Sequence, residues 1–144
     1  MRPAADDDAP TFRVWATEEG PPTHSVPAHV VAKAAATLGE AEFEAMHTRL
    51  LQAYFGENRD ISSVETLLAL WREAGLPEAE FARASDRKLV EAVARDHNEA
   101  VELGVNGVPA VRVANNSVPV VGAQPIDVYR RWIRKVLETG GTGA

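Results

Sequence analysis

A chain of 144 residues suits one compact domain, and its 45% hydrophobic and 25% charged content is that of a soluble globular protein rather than a disordered or fibrous one. A net charge of -6 argues against a surface that tracks nucleic-acid phosphates, and no apolar run reaches the roughly 20 residues that span a bilayer. With no cysteine, these residues hold no disulfide, thiolate nucleophile, Cys-ligated zinc or C-x-x-C pair.

Residues 1–10 are rich in Pro and Asp and are expected to form a frayed tail. They show no basic stretch followed by an apolar one, so a cytoplasmic location is the expectation. Phe12-Arg13-Val14-Trp15 alternates briefly, as a short strand or an anchored loop would, and residues 18–27 read as a connector.

Helical spacing runs from Ala28 to Leu103. Val30, Val31, Ala34, Ala35 and Leu38 make a first apolar face, with Gly39 expected as its left-handed cap. Phe43, Met46, Leu50 and Tyr54 make a second, broken at Gly56. Ser62 and Glu65 have the spacing of a capping box for a third helix, which is expected to turn Val64, Leu67, Leu68 and Trp71 inward and to stop at Gly75. Pro77 opens a short helical turn with Phe81 as its core contact. A longer helix from about Asp86 bears the stripe Leu89, Val90, Val93, His97, Ala100 and Val101, ending at Gly104.

Beyond Gly104 the period becomes extended. Val108 to Val113 and Val118 to Val121 flank Asn115-Asn116, a pair that tolerates the positive φ of a tight hairpin turn. Pro119 lacks a ladder donor, which marks an edge strand or a bulge. A last helix places Ile126, Tyr129, Ile133, Val136 and Leu137 on one face and closes at Gly140-Gly141. The division expected is a tail and connector over 1–27, a helical domain over 28–104, a hairpin with its helix over 105–139, and a short tail over 140–144.

Polar clusters carry little chemistry. His24, His29, His47 and His97 lack the spacing of a zinc site, so no metal is expected, and His97 reads as a half-buried packing residue. Asp6, Asp7 and Asp8 read as a solvated run. Arg130, Arg131, Arg134 and Lys135 complement a helix C-terminus more simply than they bind an anion. Asn115-Asn116-Ser117 is better read as turn chemistry than as a glycosylation site. The three tryptophans, Trp15, Trp71 and Trp132, read as core or groove-wall residues.

The stretch Leu103-Gly104-Val105-Asn106-Gly107-Val108-Pro109-Ala110, with the hairpin and then Val121-Gly122-Ala123-Gln124-Pro125, resembles the closing half of the DsbA-like thioredoxin-fold oxidoreductases, closest to their FrnE-like branch. Ala53-Tyr54-Phe55 and Asn58-Arg59-Asp60-Ile61 resemble that branch's helical insertion. The likeness covers about residues 12–139 and extends to 2-hydroxychromene-2-carboxylate isomerases and kappa-class glutathione transferases. It implies an α/β thioredoxin-like fold with a large all-helical insertion and, at Pro109, the family's cis-proline. Gly107, Val108 and Pro109 would then contact substrate.

The departure from the pattern is the strand-helix unit bearing C-x-x-C, or serine in the isomerases and transferases, which has no counterpart before Phe12. The expectation is therefore a fold related to thiol-disulfide oxidoreductases but redox-inactive, with no cofactor and no catalytic residue. Residual binding of an extended peptide or a glutathione-like thiol is expected at Gly107, Val108 and Pro109. Rival readings are a glutathione-dependent isomerase or transferase using Ser25, and a helical interaction module. The edge left open along Ala110 to Val113 leads to the expectation of either a homo-oligomer joined through that strand or a shortened gene product or fragment, unless Phe12 to Trp15 pairs there and partly repairs the edge.

Overall fold

The computed structural model describes residues 12–18, 20–113 and 118–140. The expected tail at 1–10, the expected tail over 140–144 beyond Gly140, and the Asn115-Asn116 turn lie outside the described residues. Two compact units divide at Val93 and Ala94, within one helix.

The first unit is helical. Helix α1 spans Val26–Ala36, with Pro27 in its first turn where a missing N–H costs nothing. Its alanines let neighbours approach closely, and Ala34 and Ala35 are completely buried. Gly39 does not cap α1 in the left-handed region as expected. Its φ of 161° is extended backbone, and it precedes α2 (Glu40–Leu51) as the N-cap, while Thr37 closes α1. Met46 and Leu50 carry the α2 stripe into the core.

The stripe continues through Gln52–Gly56 as a π turn, in which Glu57 N–H reaches back to the Gln52 carbonyl at 3.1 Å. Asn58 then takes a φ of 55°, a conformation Asn tolerates better than most residues, and Arg59 N–H closes the corner on the Ala53 carbonyl at 2.9 Å. Phe12 to Trp15 is anchored loop rather than strand. Arg13 N–H donates to the Phe55 carbonyl at 2.7 Å, and the Phe12 ring packs on Phe55 and that of Trp15 on Tyr54.

Helix α3 (Val64–Glu73) is capped one residue later than the sequence predicts, and Val64, in its first turn, is exposed rather than turned inward. Ser63 is the N-cap and accepts from Thr66 N–H, whereas Ser62 turns its hydroxyl to Asp60. The C-terminus of α3 is a Schellman motif. Leu76 N–H bonds the Trp71 carbonyl and Gly75 N–H that of Arg72, with Gly75 at φ +75°. A 3₁₀ segment, Glu78–Ser85, then lays Phe81 edge-on against the Trp71 indole at 5.6 Å. The Asp86 carboxylate accepts from Lys88 N–H and so opens α4 (Arg87–Glu102).

The second unit holds the end of α4, a two-stranded antiparallel sheet and α5 (Ile126–Gly140). Strands β1 (Ala110–Val111) and β2 (Val120–Val121) pair Ala110 with Val121 and Val111 with Val120. They are shorter than the alternating runs in the sequence. His97 lies exposed on α4 instead of half-buried. Every fully buried side chain among the described residues falls between Ala28 and Leu76, around Met46, Leu67, Leu70 and Trp71. No helix among the described residues is long and apolar enough to cross a membrane.

Candidate functional site

The site named by the sequence is built outward from the end of α4. Gly104, at φ +79°, makes a second Schellman cap, with Val105 N–H on the Ala100 carbonyl. The chain leaves the helix there and runs through Gly107 to a Val108–Pro109 peptide bond that is cis. Gly107, Val108, Pro109 and Ala110 are all exposed, and Val108 is 89% accessible. A methyl group on Gly107 would meet Val121 at an ordinary 3.7 Å, so packing alone does not require glycine there.

The pairing pattern decides where the backbone of β1 points. Gly122 N–H donates to the Pro109 carbonyl at 2.8 Å, making Pro109 and Gly122 the hydrogen-bonded pair. In an antiparallel ladder the next pair, Ala110 with Val121, is then non-hydrogen-bonded, and Ala110 directs its N–H and C=O away from β2. The far side of the turn is held by α5. Tyr129 Oη donates to the Gly122 carbonyl at 3.2 Å, and Gly122 sits at φ +85°.

Nothing titratable lies within residues 107–111. What the segment can offer is apolar surface, one outward amide and one outward carbonyl. Such an edge can recruit an extended chain by β-augmentation, and it supplies no acid, base or nucleophile.

The first unit holds a feature that the sequence alone does not reveal, a cleft of about 320 Å³ with Trp15, Pro21, Pro22, Thr23, Asn58 and Asp60 in its wall. Ser62 donates both its amide and its hydroxyl to Asp60 Oδ1, at 2.8 and 2.6 Å. These bonds, the hydroxyl first, hold the Asp60 carboxyl below its ordinary value. The hint in the sequence was Asn58 and Asp60 directly after the Gly56 break, but their partners lie some forty residues upstream in the connector.

Beside the cleft, Arg49 and Arg59 interleave with Glu57 and Glu73. Arg49 reaches Glu57 at 2.6 Å and Glu73 at 2.7 Å, and Arg59 reaches Glu73 at 2.8 Å. The guanidinium of Arg49 lowers the Glu57 carboxyl, and Arg59 followed by Arg49 lowers that of Glu73. Opposite charges are matched within the network, which ties α2 to α3 and leaves no net charge for a substrate. Among the described residues no three His, Asp or Glu side chains converge as metal ligands would. His47 is stacked on Phe43 at 5.5 Å.

Comparison with known proteins bears on both regions. The family model of the DSBA-like thioredoxin domain matches residues 11–134. Among solved structures, the chain superposes on the crystal structure of a "putative protein disulfide isomerase" from Nitrosomonas europaea with a TM-score of 0.66 and 18% identity. The match covers 80% of this chain and 58% of that one, so this chain spans less than two thirds of that protein's length. No curated protein matches the chain.

Proposed function

Since the chain belongs to the DsbA-like thioredoxin family, a fold related to disulfide oxidoreductases, we propose that residues 107–111 form a docking edge. It receives an extended peptide or a glutathione-like thiol compound. Disulfide exchange proceeds by attack of a thiolate on a disulfide sulfur, and these 144 residues contain no cysteine. Their contribution is binding, and any sulfur that reacts beside them belongs to the bound compound or to another polypeptide.

The observation that carries this reading is the outward pair of backbone groups on Ala110, flanked by the 89% exposed Val108 and the half-open Val111. An extended peptide would take main-chain hydrogen bonds from Ala110 and lay an alternate side chain on Val108. The test is isothermal titration of the 144-residue protein with an apolar extended heptapeptide and, separately, with reduced glutathione. Saturable binding weakened about tenfold by Val108→Asp supports the edge. Absence of heat with both ligands, or binding that the substitution leaves unchanged, rejects it.

The same edge supports a second reading, self-association through β1. Ala110 and Val111 make a short apolar edge, the kind of surface that pairs with another copy unless charge or cover protects it. A concentration-dependent sedimentation coefficient that Val111→Lys abolishes would favour this reading over peptide capture.

A further inference from the structure

Asn106 is the only asparagine in the chain that glycine follows, and the structure leaves this pair free to react with itself. The pair lies between the Gly104 cap of α4 and β1, outside any helix or strand, and both residues are exposed. Asparagine side chains in such segments commonly bond a backbone group nearby. Asn106 does not, and the Gly107 amide likewise has no hydrogen-bond partner. Nor does a side chain crowd that amide, because glycine has no Cβ. The other described asparagines are held differently. Asn98 lies inside α4, where the amide of Glu99 belongs to the helical ladder. Asn58 is followed by Arg59, whose N–H is committed to the Ala53 carbonyl at 2.9 Å.

The Gly107 nitrogen and the Asn106 side-chain carbonyl carbon can close a five-membered ring, an intramolecular encounter that requires no second reactant to be captured. A bond forms from Gly107 N to Asn106 Cγ and the Cγ–Nδ2 bond breaks. Nδ2 leaves as ammonia, taking the proton that the Gly107 amide gives up. Solvent water then opens the succinimide. Cleavage at Cγ yields aspartate, and cleavage at the main-chain carbonyl carbon yields isoaspartate, with the chain rerouted through Cβ.

We infer that Asn106-Gly107 is a site of spontaneous modification, at which the ageing protein forms a succinimide and then isoaspartate and aspartate. The product sets a carboxylate, ionised near neutral pH, beside residues 107–111, which contain no titratable group. Isoaspartate also adds one backbone atom between α4 and β1. The conversion does not depend on what the strand edge binds.

The test follows the intact 144-residue protein by ¹H–¹⁵N NMR in mildly alkaline buffer, alongside a synthetic peptide of residues 103–110. The expected result is decay of the Asn106 side-chain amide signals at least about tenfold faster than those of Asn98, at a rate within about tenfold of the free peptide's. Tandem mass spectrometry of residues 96–112, released by trypsin from aged and fresh samples, should place isoaspartate at position 106 in the aged one. Gly107→Ala puts a methyl group beside the nucleophile. Since that methyl meets only Val121, at 3.7 Å, the melting curve should hold while conversion slows about tenfold. Asn106→Gln, whose ring closure would need six members, should form no isoaspartate there. The inference is overturned if Asn106 persists as long as Asn98, or if the folded chain protects it more than about tenfold relative to the peptide. Isoaspartate formation that Asn106→Gln leaves unchanged overturns it as well.

Discussion

The indole N–H of Trp71 donates to the carbonyl oxygen of Pro77 at 2.9 Å, across the corner that Gly75 turns. One side chain thereby fills the core and fastens the 3₁₀ segment to α3. Trp71 is completely buried, and Phe81 meets it edge-on. Trp71→Phe removes the hydrogen bond, and because the Pro77 carbonyl still accepts from Glu80 N–H at 3.0 Å the loss should be about 0.5–1.5 kcal/mol. Trp71→Ala adds a cavity and costs about 3–5 kcal/mol. Urea midpoints at constant m-value measure both.

Gly75 supplies the positive φ that makes this corner. A Cβ there would meet nothing within 4 Å, so Gly75→Ala tests backbone conformation without a steric clash. The expected loss is about 1 kcal/mol, with Leu76→Ala, which opens the buried core, costing more. Equal losses from the two substitutions would contradict this assignment.

The Arg49, Arg59, Glu57 and Glu73 network predicts a pH dependence. The Glu73 carboxyl is held below its unfolded value by Arg59 and Arg49. Its stabilisation is therefore complete above the ordinary value of 4.5 and is lost as pH falls through the lower folded one. Glu73→Gln should be less stable than the parent at pH 7 and should converge with it in acid. With the Glu73 side chain 42% exposed, the difference at pH 7 should stay at or below about 1 kcal/mol. Denaturant titrations of the two proteins at pH 7 and below pH 4 read it directly.

Val108→Lys separates binding from folding. At 89% exposure the side chain contributes little to the fold, and the substitution should shift stability by no more than about 0.5 kcal/mol. Loss of peptide binding with an unchanged melting curve is the expected outcome.

The helical elements and their stop signals were legible because periodicity and left-handed caps are local. Gly75 and Gly104 terminate helices through positive φ as the sequence indicates, and Phe81 reaches the core. Gly39 misled because a glycine after an apolar face serves equally well before the next helix. The capping serine shifted from Ser62 to Ser63 because Asp60 competes for the Ser62 hydroxyl. The π turn was hidden, since one extra residue per turn leaves an apolar stripe nearly unbroken. The extended, exposed segment at Val108 and Pro109 could be named from residues adjacent in the chain. The cleft could not, because Trp15 and Thr23 meet Asn58 and Asp60 only after α1 and α2 have folded the connector back.

That every fully buried side chain among the described residues lies between Ala28 and Leu76 has a consequence for motion. Amides in α1 and α3 should exchange with solvent only when the whole unit opens, whereas those of the hairpin and α5 need only local fluctuations. The proposed docking edge thus falls in the part whose amides should open by local fluctuation alone.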